Sequence, residues 1–533
     1  MGLRIAFTIS GAVSLGAYEA GVLAALVAGL QPVCDGDDPP VCVDVLGGAS
    51  AGSICSLLAA WCLSAGLDPV QVLREAWVEQ ADMASLRRGA QGAPLNVEAL
   101  EAIARKVVMP PPGAIGRNRQ RRPIRLRMAL TPLRGLQYRI RSLESPPGRD
   151  DGHDAVTAVT FVDWCDFEIG PDTTVDDLLA ASGPVDAALA SASNAWAFPP
   201  RWLDRGDVAA DYVANGITNL PETGGLWFTD GGTVDNEPIG RTLEVVADVD
   251  SDLYESDSPD DRRLLVLVHP HPSATSPAED WAWADAGDEP RWLSGALRAL
   301  QILTSQSVHD DLRRLEKVNG RLRWLDRFTD AIAPVLDDLD DGDRTAVTTA
   351  LAGVLDAIDS DRARLHPTRE AGAGPKRSAS GDATPDVATL LRRIVARIGG
   401  LRGKREVLVD VISPRLVDSS TPVEGLLGGE ILVRFGGFLD HELRLNDFRL
   451  GYESSLVWLR SGALERHGVP AAVAATVLEA AEAALAPAER VDLEEFRRIG
   501  ETRVRDLPVR AKYELARVLA HLSAVILRDL GDE

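Results

Sequence analysis

A serine within a run of very small residues is the first side chain in this 533-residue chain that could do chemistry. Ser50 is the centre of the sequence GASAG (48–52), which follows an apolar segment that predicts a strand and precedes a segment that predicts a helix. This G-x-S-x-G pattern is typical of a turn that presents a nucleophile at a helix N-terminus, where free N–H groups favour developing negative charge. In a glycine- and alanine-rich chain the same pattern also fits a simple packed turn.

A second strand, turn and helix come earlier in the chain. Residues 3–9 (LRIAFTI) predict a buried strand and residues 17–30 predict a helix, so the first 65 residues predict a βαβα unit with a parallel sheet. The turns of such a unit lie at the same edge of the sheet, which would place the Gly11 turn beside Ser50. The N–H groups of Gly11 and Ala12 could then bind an oxyanion, and a tight turn without a ligand is the plainer alternative.

Four segments resemble the patatin-like phospholipase family in type, order and approximate spacing. They are SGAVSLGAYEAGVL (10–23), GGASAG (47–52), SASNAWAFPP (191–200) and DGG (230–232), and the resemblance covers about residues 1–272. It implies an α/β fold: a three-layer α/β/α hydrolase domain with a central, mainly parallel sheet. It also implies a catalytic dyad of Ser50 and Asp230 with no histidine, and an oxyanion hole at Gly11 and Ala12.

The chain departs from the family in its oxyanion loop. The family loop usually reads Gly-Gly-Gly-x-Lys/Arg-Gly, whereas residues 11–16 read GAVSLG, so Leu15 stands where the cation is expected. A backbone donor survives replacement of glycine by alanine where φ is negative, and the resemblance therefore still implies an oxyanion hole.

The chemistry of a Ser–Asp dyad is reasonable because a buried carboxylate can be basic enough to accept a serine proton. An α/β-hydrolase triad of Ser50, Asp230 and either His269 or His271 is the alternative. That fold places several strands before its elbow, whereas one strand fits before Ser50 here, and Pro270 indicates a loop around the histidines. The dyad is therefore the favoured prediction.

Composition limits the remaining classes of function. The net charge of −24 argues against a nucleic-acid partner and against broad adhesion to anionic lipid. The five cysteines lack regular spacing, which argues against a disulfide framework, and no CxxC or His/Cys cluster indicates a metal. We therefore expect neither a metal nor a cofactor.

Residues 109–127 contain the one local run of positive charge, with six arginines and no acid. Such a loop could meet a lipid headgroup, although a solvated loop is the more common meaning. The apolar segments 1–30 and 45–67 fit buried strands and helices better than a signal peptide or a membrane span. We expect a cytoplasmic protein, with any membrane contact peripheral and at the inner face.

The length of the chain predicts two domains, 1–272 and 273–533, the second mostly helical. Residues 366–386 are rich in Pro, Gly, Ser and Ala and predict a flexible linker. Residues 407–412 and 430–435 predict a pair of strands, and residues 435–459 resemble a C-terminal region of uncharacterised function attached to some bacterial patatin-related proteins.

The resemblance implies hydrolysis of a lipid acyl ester through an acyl-enzyme, as in a phospholipase A. An acyltransferase or a thioesterase would use the same residues. A different class of function, a non-catalytic scaffold or sensor built on a degenerate hydrolase core, is motivated by the altered Gly11 loop.

Overall fold

The computed structural model describes most of the chain. The described residues are 2–36, 38–88, 93–110, 119–141, 155–214, 216–217, 219–222, 224–254, 262–271, 292–365, 387–401 and 404–531. Their strands are β1 (Leu3–Ile9), β2 (Val41–Gly48), β3 (Ile124–Pro132), β4 (Leu136–Arg141), β5 (Ala155–Thr160), β6 (Asp163–Ile169), β7 (Arg201–Asp204), β8 (Gly225–Thr229), β9 (Arg262–Val268) and β10 (Val407–Ile412).

Eight of these strands form a central sheet in the described part of the chain, with the order β10-β9-β1-β2-β3-β8-β7 and with β6 also paired to β3. The pairs from β10 to β3 are parallel, and β6, β8 and β7 pair antiparallel. The predicted mainly parallel sheet is therefore confirmed. The strands β4 and β5 form a separate antiparallel pair.

The described helices lie on both sides of the sheet and dominate the second half of the chain. They are α1 (Gly16–Cys34), α2 (Ala51–Ala65), α3 (Pro69–Arg74), α4 (Met83–Leu86), α5 (Val97–Val108), α6 (Val175–Leu178), α7 (Pro184–Ser191), α8 (Ala209–Ala214), α9 (Ile239–Tyr254), α10 (Trp292–Asp337), α11 (Asp341–Leu365), α12 (Val387–Ile398), α13 (Ile431–Arg434), α14 (His441–Arg460), α15 (Ala463–Arg466), α16 (Ala471–Ala484), α17 (Leu493–Gly500) and α18 (Val509–Gly531).

Helix α1 is apolar on every face and buried along nearly its whole length. By length and composition, Val13–Cys34 could cross a membrane, but 94% of its most apolar window is buried inside the protein. A helix without a polar face needs cover on all sides. The sheet and α2 cover one side, and α14 and α16 from the second half of the chain cover the other.

Glycines allow α1 and α14 to approach very closely. A Cβ at Gly21 would lie 1.9 Å from the carbonyl oxygen of Phe448, and a Cβ at Gly451 would lie 2.0 Å from that of Tyr18. Backbone atoms cannot move aside as a flexible side chain can, so glycine is required at both positions of this helix crossing.

The structure differs from the sequence-based expectations in the second half of the chain. Strand β10 lies beyond the predicted boundary at residue 272 and yet joins the central sheet, and one hydrophobic core extends from Leu3 to Phe496. Residues 430–435 do not form a strand, because Ile431–Arg434 form the short helix α13 and Phe435 lies in the turn that follows. The predicted linker, 366–386, lies outside the described residues.

The five cysteines are buried free thiols, as the spacing predicted. In the basic segment, 111–118 lie outside the described residues, and several arginines that follow are paired with acids. Arg125 forms an ion pair with Glu168, and Arg127 forms ion pairs with Asp166 and Glu244. These contacts favour a structural role for the arginines over a headgroup site.

We expect Gly451→Ala to lower the free energy of unfolding by about 1–3 kcal/mol, because the added methyl group overlaps the backbone of α1. Gly353→Ala is the matched control, since Gly353 is an exposed residue of α11 where an added methyl group would have no heavy atom within 4 Å apart from its chain neighbours and its own helix backbone. That change should raise stability by roughly 0.5–1 kcal/mol through helix propensity. Urea unfolding measures both, and equal effects of the two variants would contradict the packing argument.

Candidate active site

Ser50 occupies a strained turn between β2 and α2. Its backbone has φ 52° and ψ −123°, a conformation that L-residues rarely adopt, and its side chain is buried. Strain of this kind costs of order 1–3 kcal/mol and persists where the surrounding structure enforces it. The turn places the hydroxyl at the N-terminus of the 15-residue helix α2, as the G-x-S-x-G pattern predicts.

The hydroxyl of Ser50 donates a hydrogen bond directly to a carboxylate oxygen of Asp230. The distance between Ser50 Oγ and Asp230 Oδ2 is 2.7 Å, although 180 positions separate the two residues in the chain. Asp230 follows β8, and its other oxygen, Oδ1, accepts the N–H of Gly232 at 2.7 Å. This second hydrogen bond therefore fixes the orientation of the carboxylate toward the serine.

Burial changes the acidity of Asp230. The residue is 4% exposed, and the loss of hydration raises the pKa of the carboxyl to about 6. Hydrogen bonds from the Ser50 hydroxyl, the Gly232 N–H and Asn194 favour the charged form and limit the rise. The carboxylate is thus a stronger base than an ordinary aspartate but remains mostly ionised at neutral pH.

Ser191 stabilises the backbone of the turn that contains Ser50. Its hydroxyl oxygen accepts the N–H of Ser50 at 2.9 Å, and its own proton is donated to the carbonyl of Ala129 at 2.7 Å. The same oxygen lies 2.8 Å from the hydroxyl of Ser53. Sequence reasoning singled out the segment 191–200 but gave Ser191 no role, because a serine in a run of small residues carries no distinguishing signal.

The Gly11 turn lies beside Ser50, as the βαβα pattern predicts, but its donors differ from those expected. The N–H of Gly11 donates to the backbone carbonyl of Asn236 at 2.8 Å and is therefore already engaged. Within the described part of the chain, no acceptor faces the N–H groups of Ala12, Val13 or Ala51. Ala51 follows the serine and begins α2, so its N–H belongs to the unpaired helix N-terminus.

Val13 gives this turn additional strain. Its φ is 54°, which is a left-handed conformation and a genuine outlier for a β-branched residue. The φ of Ala12 is −138°, so alanine is accommodated there without cost. Replacing the family's glycine with Ala12 therefore adds no backbone strain, whereas replacing the next glycine with Val13 does.

Asn236 connects the oxyanion loop with the Asp230 turn. A Cβ at Gly11 would lie 2.4 Å from Asn236 Oδ1, and one at Gly232 would lie 2.6 Å from the same atom. The side-chain amide therefore fills the space between the two glycines. Sequence reasoning did not identify Asn236, since no local pattern marked it.

An apolar cavity of about 100 Å³ opens beside Ser50. Ser50 and Asn194 are the residues with small polar side chains among the described residues that line it; the rest are apolar or aromatic, including Val13, Ile54, Trp77 and Phe198. Such a lining fits an apolar ligand segment held next to a polar reacting group.

The two histidines considered as alternatives to the dyad are engaged elsewhere. Nε2 of His269 lies 2.5 Å from Oε1 of Glu237, and Nε2 of His271 lies 2.8 Å from Oε1 of Glu424. The direct contact of Ser50 with Asp230 leaves no place for an imidazole between them. In the described residues no group of three or more His, Cys, Asp or Glu side chains could hold a metal ion.

Comparison with known proteins supports the family resemblance. Residues 7–243 match the family model of the patatin-like phospholipases. No curated protein matches the chain. The crystal structure of VipD from Legionella pneumophila aligns over 95% of this chain and 94% of its own with 10% identity, but its TM-score of 0.18 is too low to support a shared fold. Residues 7–243, which carry Ser50 and Asp230, therefore form a patatin-like phospholipase domain.

Proposed function

We propose that the protein is a lipid acyl hydrolase of the phospholipase A type that works with a Ser50–Asp230 dyad. The observation that carries the proposal is the 2.7 Å hydrogen bond from a strained serine hydroxyl to a buried carboxylate. A serine needs a base within hydrogen-bond reach to become a nucleophile, and Asp230 meets that requirement. The family indicates hydrolysis of lipid esters.

In the proposed reaction Ser50 Oγ attacks the ester carbonyl while Asp230 accepts its proton. The tetrahedral intermediate collapses, the protonated carboxyl returns the proton to the leaving alkoxide, and an acyl-enzyme remains. Asp230 then deprotonates a water molecule that attacks the acyl carbonyl, and Ser50 regains its proton as the acid leaves. No metal or cofactor takes part in this scheme.

The developing oxyanion needs N–H donors that have no other acceptor. The N–H groups of Ala12 and Ala51 are placed on the two turns that flank Ser50 and are unengaged in the described structure. We therefore assign the hole to Ala12 and Ala51, with Val13 as a third donor, instead of Gly11. Each such donor is typically worth about 2.7–4 kcal/mol in the transition state.

The apolar cavity is the proposed site of the acyl chain. Its small polar groups lie at Ser50 and Asn194, which suits an ester whose carbonyl is at the serine and whose chain extends into the cavity. In the sequence, Trp196 lies between Asn194 and Phe198, which both line the cavity, and its side chain is 70% exposed. Because tryptophan favours membrane interfaces, this position supports a local, peripheral contact with a lipid surface.

We expect Ser50→Ala and Asp230→Asn each to reduce hydrolysis by at least about 10³-fold, because each removes one half of the nucleophile–base pair. Hydrolysis of nitrophenyl esters and of phospholipid vesicles measures the loss. A fluorophosphonate label mapped by mass spectrometry should modify Ser50 in the wild type alone of these three proteins.

Two nearby substitutions serve as matched controls. Ser56→Ala removes another buried hydroxyl from α2, and Asp186→Asn neutralises a half-buried carboxylate that pairs with Arg201. Both variants should keep activity within about threefold of the wild type. Equal activity in all five proteins, or a wild type that is both inactive and unlabelled by the fluorophosphonate, would leave only the scaffold function.

The rate should depend on the ionisation of Asp230. The carboxylate is the active base, so kcat/KM should rise with pH through an apparent pKa of about 6 and fall about tenfold per pH unit well below it. His269→Gln and His271→Gln should keep this inflection, which distinguishes the dyad from a histidine triad. A flat profile from about pH 5 to 8 would contradict the assignment.

The strain at Ser50 should be measurable as stability. Ser50→Ala and Ser50→Gly both remove the hydroxyl, but only glycine relaxes at φ 52°. We expect the glycine variant to be more stable than the alanine variant by about 1 kcal/mol in urea unfolding. An alanine variant as stable as the glycine variant would show that the turn is not strained.

A further inference from the structure

Residues 431–439, which we call the clasp segment, reach the active site from the half of the chain outside the family match. The segment contains the short helix α13 and the turn that follows it, just before α14. Three features bring it to the site: hydrogen bonds to the oxyanion loop, aromatic side chains in the cavity and anchoring from α14.

The hydrogen bonds involve Ser14, the neighbour of Val13. The hydroxyl of Ser14 donates to the carbonyl of Arg434 at 2.5 Å and accepts the N–H of Gly437 at 3.0 Å. Ser14 is fully buried. The hydroxyl of Ser14 thus both donates and accepts a hydrogen bond, and both bonds attach the oxyanion loop to a segment from the second half of the chain.

Two phenylalanines of the clasp segment line the cavity beside Ser50. Phe435 and Phe438 face the space that Val13 and Trp77 also line. Their ring centroids are 6.0 Å apart at 62°, an edge-to-face contact, and Phe438 is 7% exposed. The rings therefore form an aromatic wall on the side of the cavity next to the oxyanion loop.

Helix α14 holds the clasp segment in place. The guanidinium of Arg444 donates to the carbonyl of Gly437 at 2.8 Å and to that of Val78 at 2.9 Å, and Val78 adjoins Trp77 of the cavity. The carboxylate of Asp447 accepts the N–H groups of Gly428 and Gly429 just before the segment. Because α14 also packs against α1, the aromatic wall is fixed to the core.

We propose that the clasp segment is part of the active site: Phe435 and Phe438 determine which acyl chains fit, and Ser14 positions the oxyanion donors. The inference rests on the proposed acyl hydrolase function. The cavity of about 100 Å³ is smaller than the enclosed cavity of about 150 Å³ that accepts benzene, and it is open on one side. We therefore expect a short acyl chain to fit inside it, whereas a longer chain would have to extend past the two phenylalanines. Among the lipid esters of the proposed function, we therefore expect those with a short acyl chain to be the preferred substrates.

Truncating the aromatic wall should shift acyl selectivity in the full-length protein. The wild type should prefer nitrophenyl butanoate to the dodecanoate, and Phe435→Ala or Phe438→Ala should raise the dodecanoate-to-butanoate ratio of kcat/KM by about tenfold. Phe496→Ala is the matched control, because Phe496 is a buried phenylalanine of the same half that does not line the cavity. It should lower stability and leave the ratio unchanged.

The positioning role of Ser14 has a different signature. Ser14→Ala should lower kcat and the rate of fluorophosphonate labelling by about tenfold, because the oxyanion loop loses its hydrogen bonds to the clasp segment. The dodecanoate-to-butanoate ratio of kcat/KM should not change, because Phe435 and Phe438 still line the cavity. Ser56→Ala is again the control and should leave both rates within about threefold. A Ser14→Ala enzyme with normal kcat and labelling would overturn this part of the inference.

A binding measurement separates failure of this inference from failure of the proposed function. In the Ser50→Ala background, dodecanoic acid should raise the melting temperature more with Phe435→Ala or Phe438→Ala present than without, and no turnover is needed. If the enzyme is active but neither alanine substitution changes the dodecanoate-to-butanoate ratio of kcat/KM or the binding of dodecanoic acid, the role of the two phenylalanines is wrong and the hydrolase proposal stands. An inactive, unlabelled wild type would end the hydrolase proposal, and the binding result would still decide the role of the wall.

Discussion

The burial of helix α1 is the constraint on which the rest of the structure depends. The helix has no polar face, so the sheet can satisfy only one of its sides, and Gly21 and Gly451 let α14 cover another at backbone contact. Since α1 begins directly after the oxyanion loop, whatever covers the helix also lies next to the site. The packing that completes the core therefore also places part of the second half of the chain beside the proposed active site.

In the proposed dyad, the surroundings of Asp230 make its carboxylate basic enough to accept a serine proton. An exposed aspartate has a pKa of about 4 and would bind a serine proton poorly. Burial favours the neutral carboxyl, while hydrogen bonds from Ser50 and the Gly232 N–H favour the carboxylate, and the balance brings the pKa to about 6. In the proposed mechanism, a carboxylate with this pKa can accept a proton in one step and return it in the next, because neither its charged nor its neutral form is strongly favoured.

The sequence predicted those features that depend on short segments. Ser50 and the strands around it were identifiable because a strand, a run of tiny residues and a helix follow one another, and Asp230 because the family resemblance supplied a partner. Nothing local could show that Asn236 takes the Gly11 N–H, or that Ser191 braces the serine, since these contacts join distant segments. Residues 430–435 contain an apolar, β-branched run that favours a strand, whereas the structure has the short helix α13 at Ile431–Arg434, so local propensity did not decide the conformation.

The unusual oxyanion loop and the clasp segment are best understood together. A glycine at residue 13 would adopt φ 54° freely, whereas valine carries a strain of order 1–3 kcal/mol that the loop could release by moving its N–H groups away from Ser50. Two hydrogen bonds to Ser14, each worth about 0.5–1.5 kcal/mol, oppose that movement from the adjacent residue. The magnitudes are comparable. In our proposal this loop, which has Ala12 and Val13 where the family pattern has glycines, therefore keeps its geometry because a segment from the other half of the chain holds it.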